Sequence, residues 1–208
     1  MTLDIRSMGD RALLVATQHP ARLAASIESL TIVGVIEAVP ADETVLVRFD
    51  SNCDRKSLQR TINDIDDAAS STTDTTHVVI PVTYDGEDLG DVASMCGLDI
   101  ADVIAIHSAT LYTVAFCGFA PGFAYLRGLD SRLTMPRLNT PRVRVPAGAV
   151  AIADQWSAVY PRESPGGWRL LGTTTMSLFD LTRPQPATLK PGDTVQFTPI
   201  SPVAGSTA

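Results

Sequence analysis

Apolar side chains recur with two periods over roughly the first seventy residues, and the two periods alternate in a simple order. Residues 5–9 and 12–16 predict two short strands around Gly9-Asp10. Pro20 then opens a helix in which Leu23, Ile27 and Leu30 share one face. Residues 32–39 are apolar and rich in β-branched side chains, and residues 44–49 set Val45, Val47 and Phe49 against Leu46 and Arg48, so both segments read as strands. Asp54 is placed to cap a second helix, with Leu58, Ile62, Ile65 and Ala69 along one side. The order ββαββα, with strands and helices able to occupy separate layers, predicts a small α+β sandwich over residues 1–80.

The pattern changes after a polar run, Ser70-Ser71-Thr72-Thr73-Asp74-Thr75-Thr76, which is expected to be an exposed connection. A strand is predicted over residues 78–84. Two helices should follow, the first with Leu89, Val92, Ala93 and Cys96 on one face, the second capped by Asp99 and carrying Ile100, Val103, Ile104 and His107. Beyond Leu111 short β-rich segments are separated by proline and glycine, as expected of a loop-rich barrel or sandwich. Residues 81–208 are therefore assigned to a second, β-rich domain.

Charge refines this division. The 208-residue chain carries a net charge of −7, yet residues 1–102 hold 7 basic and 18 acidic side chains while residues 103–183 hold 8 and 4. All the basic residues of that second segment are arginines, the side chain suited to gripping a carboxylate or phosphate. The two helices around Gly97 have the outline of a helix-turn-helix, but residues 85–110 contain six acidic side chains and no Lys or Arg. Phosphates would repel such a recognition helix, so nucleic acid is not an expected partner.

Other classes fall away on motif grounds. Cys53, Cys96 and Cys117 are too few and too scattered for a disulfide framework or a zinc site, and no metal is expected. No apolar run is long enough to span a bilayer, so no membrane association is expected. Asp4, Arg6 and Asp10 interrupt the apolar residues at the N-terminus, which makes cytoplasm the expected compartment. GxxxxGK[ST], GxGxxG and GxSxG are all missing. Any chemistry with ATP would therefore be unconventional or shared with another chain.

Three clusters remain: Gly118-Phe119-Ala120-Pro121-Gly122-Phe123-Ala124-Tyr125-Leu126, then Pro136-Arg137-Leu138-Asn139-Thr140-Pro141-Arg142-Val143-Arg144-Val145-Pro146-Ala147-Gly148, then Tyr160-Pro161-Arg162-Glu163-Ser164-Pro165-Gly166-Gly167-Trp168. Glycine and proline at this density fix loop shapes and let a ligand approach the backbone. Aromatics interleaved with arginines suit a ligand pocket or an interface core. His107, at the end of its helix, suits either an acid/base role or a packed, capping one.

With Ala105-Ile106-His107-Ser108 before them and Gly172-Thr173-Thr174 and Leu178-Phe179-Asp180 after them, these clusters resemble the KipI-type (PxpB) proteins. That family includes the B subunit of the bacterial ATP-dependent 5-oxoprolinase, proteins labelled allophanate hydrolase subunit 1, and a sporulation kinase inhibitor. The resemblance implies a cyclophilin-like β-barrel as the second domain. It implies a KipA-type partner, the C subunit of such an enzyme, and a third subunit that shares the handling of 5-oxoproline is the corresponding expectation for the assembly. ATP is the implied cosubstrate, bound by the complex rather than necessarily by this chain. The implied activity is hydrolysis of the lactam of 5-oxo-L-proline to L-glutamate, with the chain inactive alone. Kinase inhibition and a carboxyltransferase role of the allophanate hydrolase or urea carboxylase type stand as alternatives.

For the lactam reaction, the expected catalytic residues are His107, Arg137, Arg142, Tyr160 and Ser164. Phe119, Pro121, Gly122, Tyr125, Arg144, Gly166, Gly167 and Trp168 are expected to bind substrate. Ala149, the segment Asp154-Gln155-Trp156-Ser157-Ala158, and Thr173 depart from the family's usual pattern.

Overall fold

A computed structural model describes residues 3–65 and 75–201 as an α+β protein. Two compact units part between Thr75 and Thr76. The first has the order β1 (Asp4–Ser7), β2 (Ala12–Ala16), α1 (Pro20–Ser29), β3 (Val35–Pro40), β4 (Thr44–Phe49) and α2 (Arg55–Asp64). Its four strands form one antiparallel sheet in the order β1-β2-β4-β3. Leu13, Val15, Val45, Val47 and Phe49 point from one face into a core completed by Leu23 and Ile27 of α1 and Leu58 and Ile62 of α2.

The local signals explain most of these boundaries. Asp54 accepts a hydrogen bond from the Lys56 backbone N–H at 3.0 Å, as its N-cap position predicts. Strand β3 begins at Val35, later than expected, because Thr31 and Gly34 have positive φ and turn the chain first. Helix α2 stops at Asp64, leaving Ile65 extended. Ala69 and residues 70–74 of the polar run lie outside the described residues.

The second unit consists of β5 (His77–Val82), α3 (Leu89–Cys96), α4 (Ile100–Ala109), β6 (Leu111–Cys117), β7 (Ala124–Arg127), a short 3-10 turn at Ser131–Leu133, β8 (Arg142–Val145), β9 (Ala149–Ala153), β10 (Trp156–Val159), β11 (Ser164–Gly166), β12 (Arg169–Thr173) and β13 (Thr194–Pro199). A boundary at 80/81 would cut β5, which belongs wholly to this unit. Seven strands form a barrel-like sheet in the order β12-β9-β10-β7-β6-β13-β5. Its ends approach each other just past β5, where Thr83 and Thr173 exchange backbone hydrogen bonds of 2.9 and 2.8 Å. Strands β8 and β11 form a separate antiparallel ribbon.

The closure demands a small residue. A Cβ on Gly172 would run into the carbonyl oxygen of Thr83. Gly172→Ala is expected to destabilise the chain by about 1–3 kcal/mol, the usual cost of overpacking, and urea denaturation measures it. The barrel interior is filled by Ile80, Val82, Val114, Leu126, Val150, Val195 and Phe197.

Candidate functional site

The predicted residues separate into a cleft and its supports. Phe119, Tyr125, Arg137, Tyr160, Gly166, Gly167 and Trp168 meet in a cleft of about 80 Å³, together with Phe123 and Pro165. Three stretches distant in sequence supply them: the β6–β7 loop with the start of β7, the approach to β8, and the turn into and beyond β11. Phe119 is 60% exposed and adopts a φ of 67°, an unusual conformation for a residue with a side chain. Phe123 and Trp168 are buried and meet edge to face with ring centroids 5.6 Å apart. Gly166 is required by proximity, since a Cβ there would strike the Tyr160 hydroxyl.

The polar groups of the cleft are few. The guanidinium carbon of Arg137 sits 5.8 Å from the centre of the Trp168 ring, a cation–π arrangement. Its Nε lies 3.6 Å from Asp154, with both side chains largely exposed, so this pair costs little to break. Burial raises the pKa of Tyr160, partly offset by a hydrogen bond from the Trp168 backbone amide. Tyr160 therefore stays protonated at neutral pH and keeps its O–H proton available to a ligand.

Pro121 and Gly122 shape the loop that carries Phe119 and Phe123 and do not line the cleft. Gly122 has a φ of 81°, and the loop is tied by the Gly118 amide donating to the Phe123 carbonyl at 3.1 Å. Ser164 donates to the carbonyl of Arg162 at 3.2 Å, and Arg144 pairs with Glu163 at 2.6 Å on the exposed ribbon.

Arg142 is a brace. It meets Glu87 at 2.5 Å and the buried Asp88 at 2.7 Å, and its Nη1 donates to the Trp168 carbonyl at 3.4 Å. The other Asp88 oxygen accepts from the Leu170 amide at 2.7 Å. One carboxylate and one guanidinium thus hold both ends of the 168–170 segment that presents Trp168 to the cleft. Asp88, at the N-cap of α3, uses its carboxylate for this purpose and makes no side-chain cap. Its role was not legible in the sequence, where it stood as one of several acids before an apolar helix.

His107 lies in the barrel core with no exposed surface, stacked on Phe197 at 4.5 Å. Its Nδ1 is 2.8 Å from the Tyr84 hydroxyl and its Nε2 2.9 Å from the Ser157 Oγ. Ser157 donates to the Ala151 carbonyl, so the consistent tautomer has Nε2–H donating to Ser157 and Nδ1 accepting from Tyr84. Both nitrogens are occupied inside the core, which leaves no acid/base function toward the cleft.

Burial lowers the His107 pKa to about 3, against about 6.5 for a free histidine. Below that free value the unfolded chain takes up a proton that the folded chain refuses. Stability is therefore expected to fall as pH drops from about 6.5 toward 3, by up to about 1.4 kcal/mol per pH unit. Denaturation at a series of pH values measures the slope, and His107→Phe should make it shallower whatever its absolute stability.

Among the described residues no group of three or more His, Cys, Asp or Glu is arranged to hold a metal ion. No described helix is long and apolar enough to cross a membrane.

An α+β chain whose second unit is a barrel-like sheet bearing an aromatic, arginine-edged cleft defines the class. Residues 3–189 match the family described as carboxyltransferase domain, subdomain C and D, and the chain belongs to that family. It is 40% identical over 170 residues to the 5-oxoprolinase B subunit of Escherichia coli O157:H7, covering 79% of this chain and 78% of that protein. With the 5-oxoprolinase B subunit of Bacillus subtilis (strain 168) it shares 35% identity over an alignment of 224 positions, covering 95% of this chain and 92% of that protein. The crystal structure of TTHA0988 superposes with a TM-score of 0.84 at 35% identity, covering 94% of this chain. This chain spans only 41% of that longer chain.

Proposed function

We propose that the chain is the B subunit of a cytoplasmic ATP-dependent 5-oxoprolinase, acting with a KipA-type partner subunit to hydrolyse 5-oxo-L-proline to L-glutamate. The cleft carries the reading. A five-membered lactam bearing a carboxylate needs an apolar slot for its ring, a cation for its carboxylate and a hydrogen-bond donor for its carbonyl. Trp168 and Phe119 supply the slot, Arg137 the cation and Tyr160 the donor. The names borne by the 35% and 40% identical relatives support the same substrate.

In this reading Arg137 binds the carboxylate and the Tyr160 O–H polarises the lactam carbonyl. Water adds to the carbonyl carbon, the ring C–N bond breaks, and the nitrogen takes up a proton to become the amino group of glutamate. A second water is consumed as ATP yields ADP and phosphate in the same turnover. No step of phosphoryl transfer is assigned to this chain.

The test is reconstitution with the partner subunits, following glutamate and ADP release. Turnover that requires this chain supports the reading. An equal rate when it is omitted overturns it.

A further inference from the structure

A second cleft, of about 190 Å³, opens beside the seam where the barrel closes. Its apolar wall is formed by Pro146, Ala149 and Leu170, and Asp85, Glu87 and Thr173 stand at its polar edge. We propose that this cleft is a second binding site, for a small primary ammonium compound with a short apolar body.

Charge selects the ligand class. Two carboxylates face the cleft, and no Lys, Arg or His is among the residues lining it. The oxygens of Asp85 lie 3.0 and 3.2 Å from the single hydroxyl of Thr173. One hydroxyl supplies one proton, so most of the acceptor capacity of Asp85 is left for a ligand. Glu87 is held by Arg142 through one oxygen at 2.5 Å and retains its other. An ammonium group brings three donors to these acceptors, while an anion of the same shape meets the carboxylate of Asp85, which no cation among the lining residues offsets. The apolar wall, not the carboxylates alone, makes the cleft suited to more than an inorganic cation, because a short hydrocarbon chain is dehydrated against Pro146, Ala149 and Leu170.

The cleft also touches the brace of the aromatic site. Leu170, whose amide is held by Asp88, lines it, and Glu87 shares Arg142 with the Trp168 carbonyl. A ligand ammonium competing for Glu87 would reach the aromatic cleft through that arginine.

The experiment titrates the isotope-labelled full-length chain with n-pentylammonium, pentanoate and n-pentanol, following amide shifts by NMR. Pentylammonium is expected to saturate with shifts centred on Asp85, Leu170 and Thr173, and to bind at least about tenfold more tightly than either control. Asp85→Asn should weaken binding about tenfold. Thr173→Arg, which sets a cation beside Asp85, should abolish it. Absence of saturation, equal binding of pentanoate, shifts scattered over the acidic first unit, or full affinity in Asp85→Asn would overturn the proposal. None of these outcomes depends on 5-oxoproline turnover, so this proposal and the assignment of the aromatic cleft can fail separately.

Discussion

Asp88→Ala is expected to destabilise the chain by about 3–5 kcal/mol, the cost of removing one partner from a buried ion pair. Asp88 has 6% of its side chain exposed and Arg142 21%. Its removal takes the Arg142 pair and the acceptor for the Leu170 amide at once. Glu87 still holds Arg142, which places the effect toward the lower end of that range. Urea denaturation of the two proteins measures the difference. An effect below about 0.5 kcal/mol, the ordinary range for a surface substitution, would contradict the brace. Because the brace fixes the 168–170 segment, the surviving folded fraction should also show an altered Trp168 environment.

Arg137→Ala is expected to raise the KM for 5-oxoproline in the reconstituted enzyme by about 10–100-fold, as a charge-assisted hydrogen bond worth about 1.5–3 kcal/mol is lost. Folding stability should hardly change, since the pair with Asp154 is exposed and long. That combination separates a binding residue from a structural one. Tyr160→Phe would be a poorer probe of binding, because it also removes the partner of the Trp168 amide.

Legibility in the sequence followed the range of the interactions. The first unit was readable because its strands and helices follow from side-chain periodicity and pair mostly with near neighbours: β1 with β2 across a turn at Gly9, and β3 with β4 across residues 41–43. The barrel's strand order was not. β5 pairs in parallel with β13, joining His77 to Thr194, and nothing local in either strand announces so distant a partner.

The site divides in the same way. The aromatic and glycine clusters supply most of the cleft's lining, while Pro121 and Gly122 of the same clusters shape its loop. Arginine composition did not show that Arg142 and Arg144 pair with Asp88, Glu87 and Glu163, which come together with them only in the fold. His107 sits four residues after the buried Val103, on the inner face of α4, and its neighbours Tyr84 and Ser157 come from outside that helix. The acidic seam cleft has no compact motif because its edge and walls come from three separate segments.

The most direct measurement compares 5-oxoproline with 2-pyrrolidone, the same lactam without the carboxylate, in reconstituted enzyme carrying wild-type or Arg137→Ala chain. With the substrate carboxylate on Arg137, the wild type should prefer 5-oxoproline in kcat/KM by about 10–100-fold more than Arg137→Ala does. An equal preference in the two proteins would contradict the placement of the substrate carboxylate at Arg137 and, with it, the assignment of the aromatic cleft as the 5-oxoproline site.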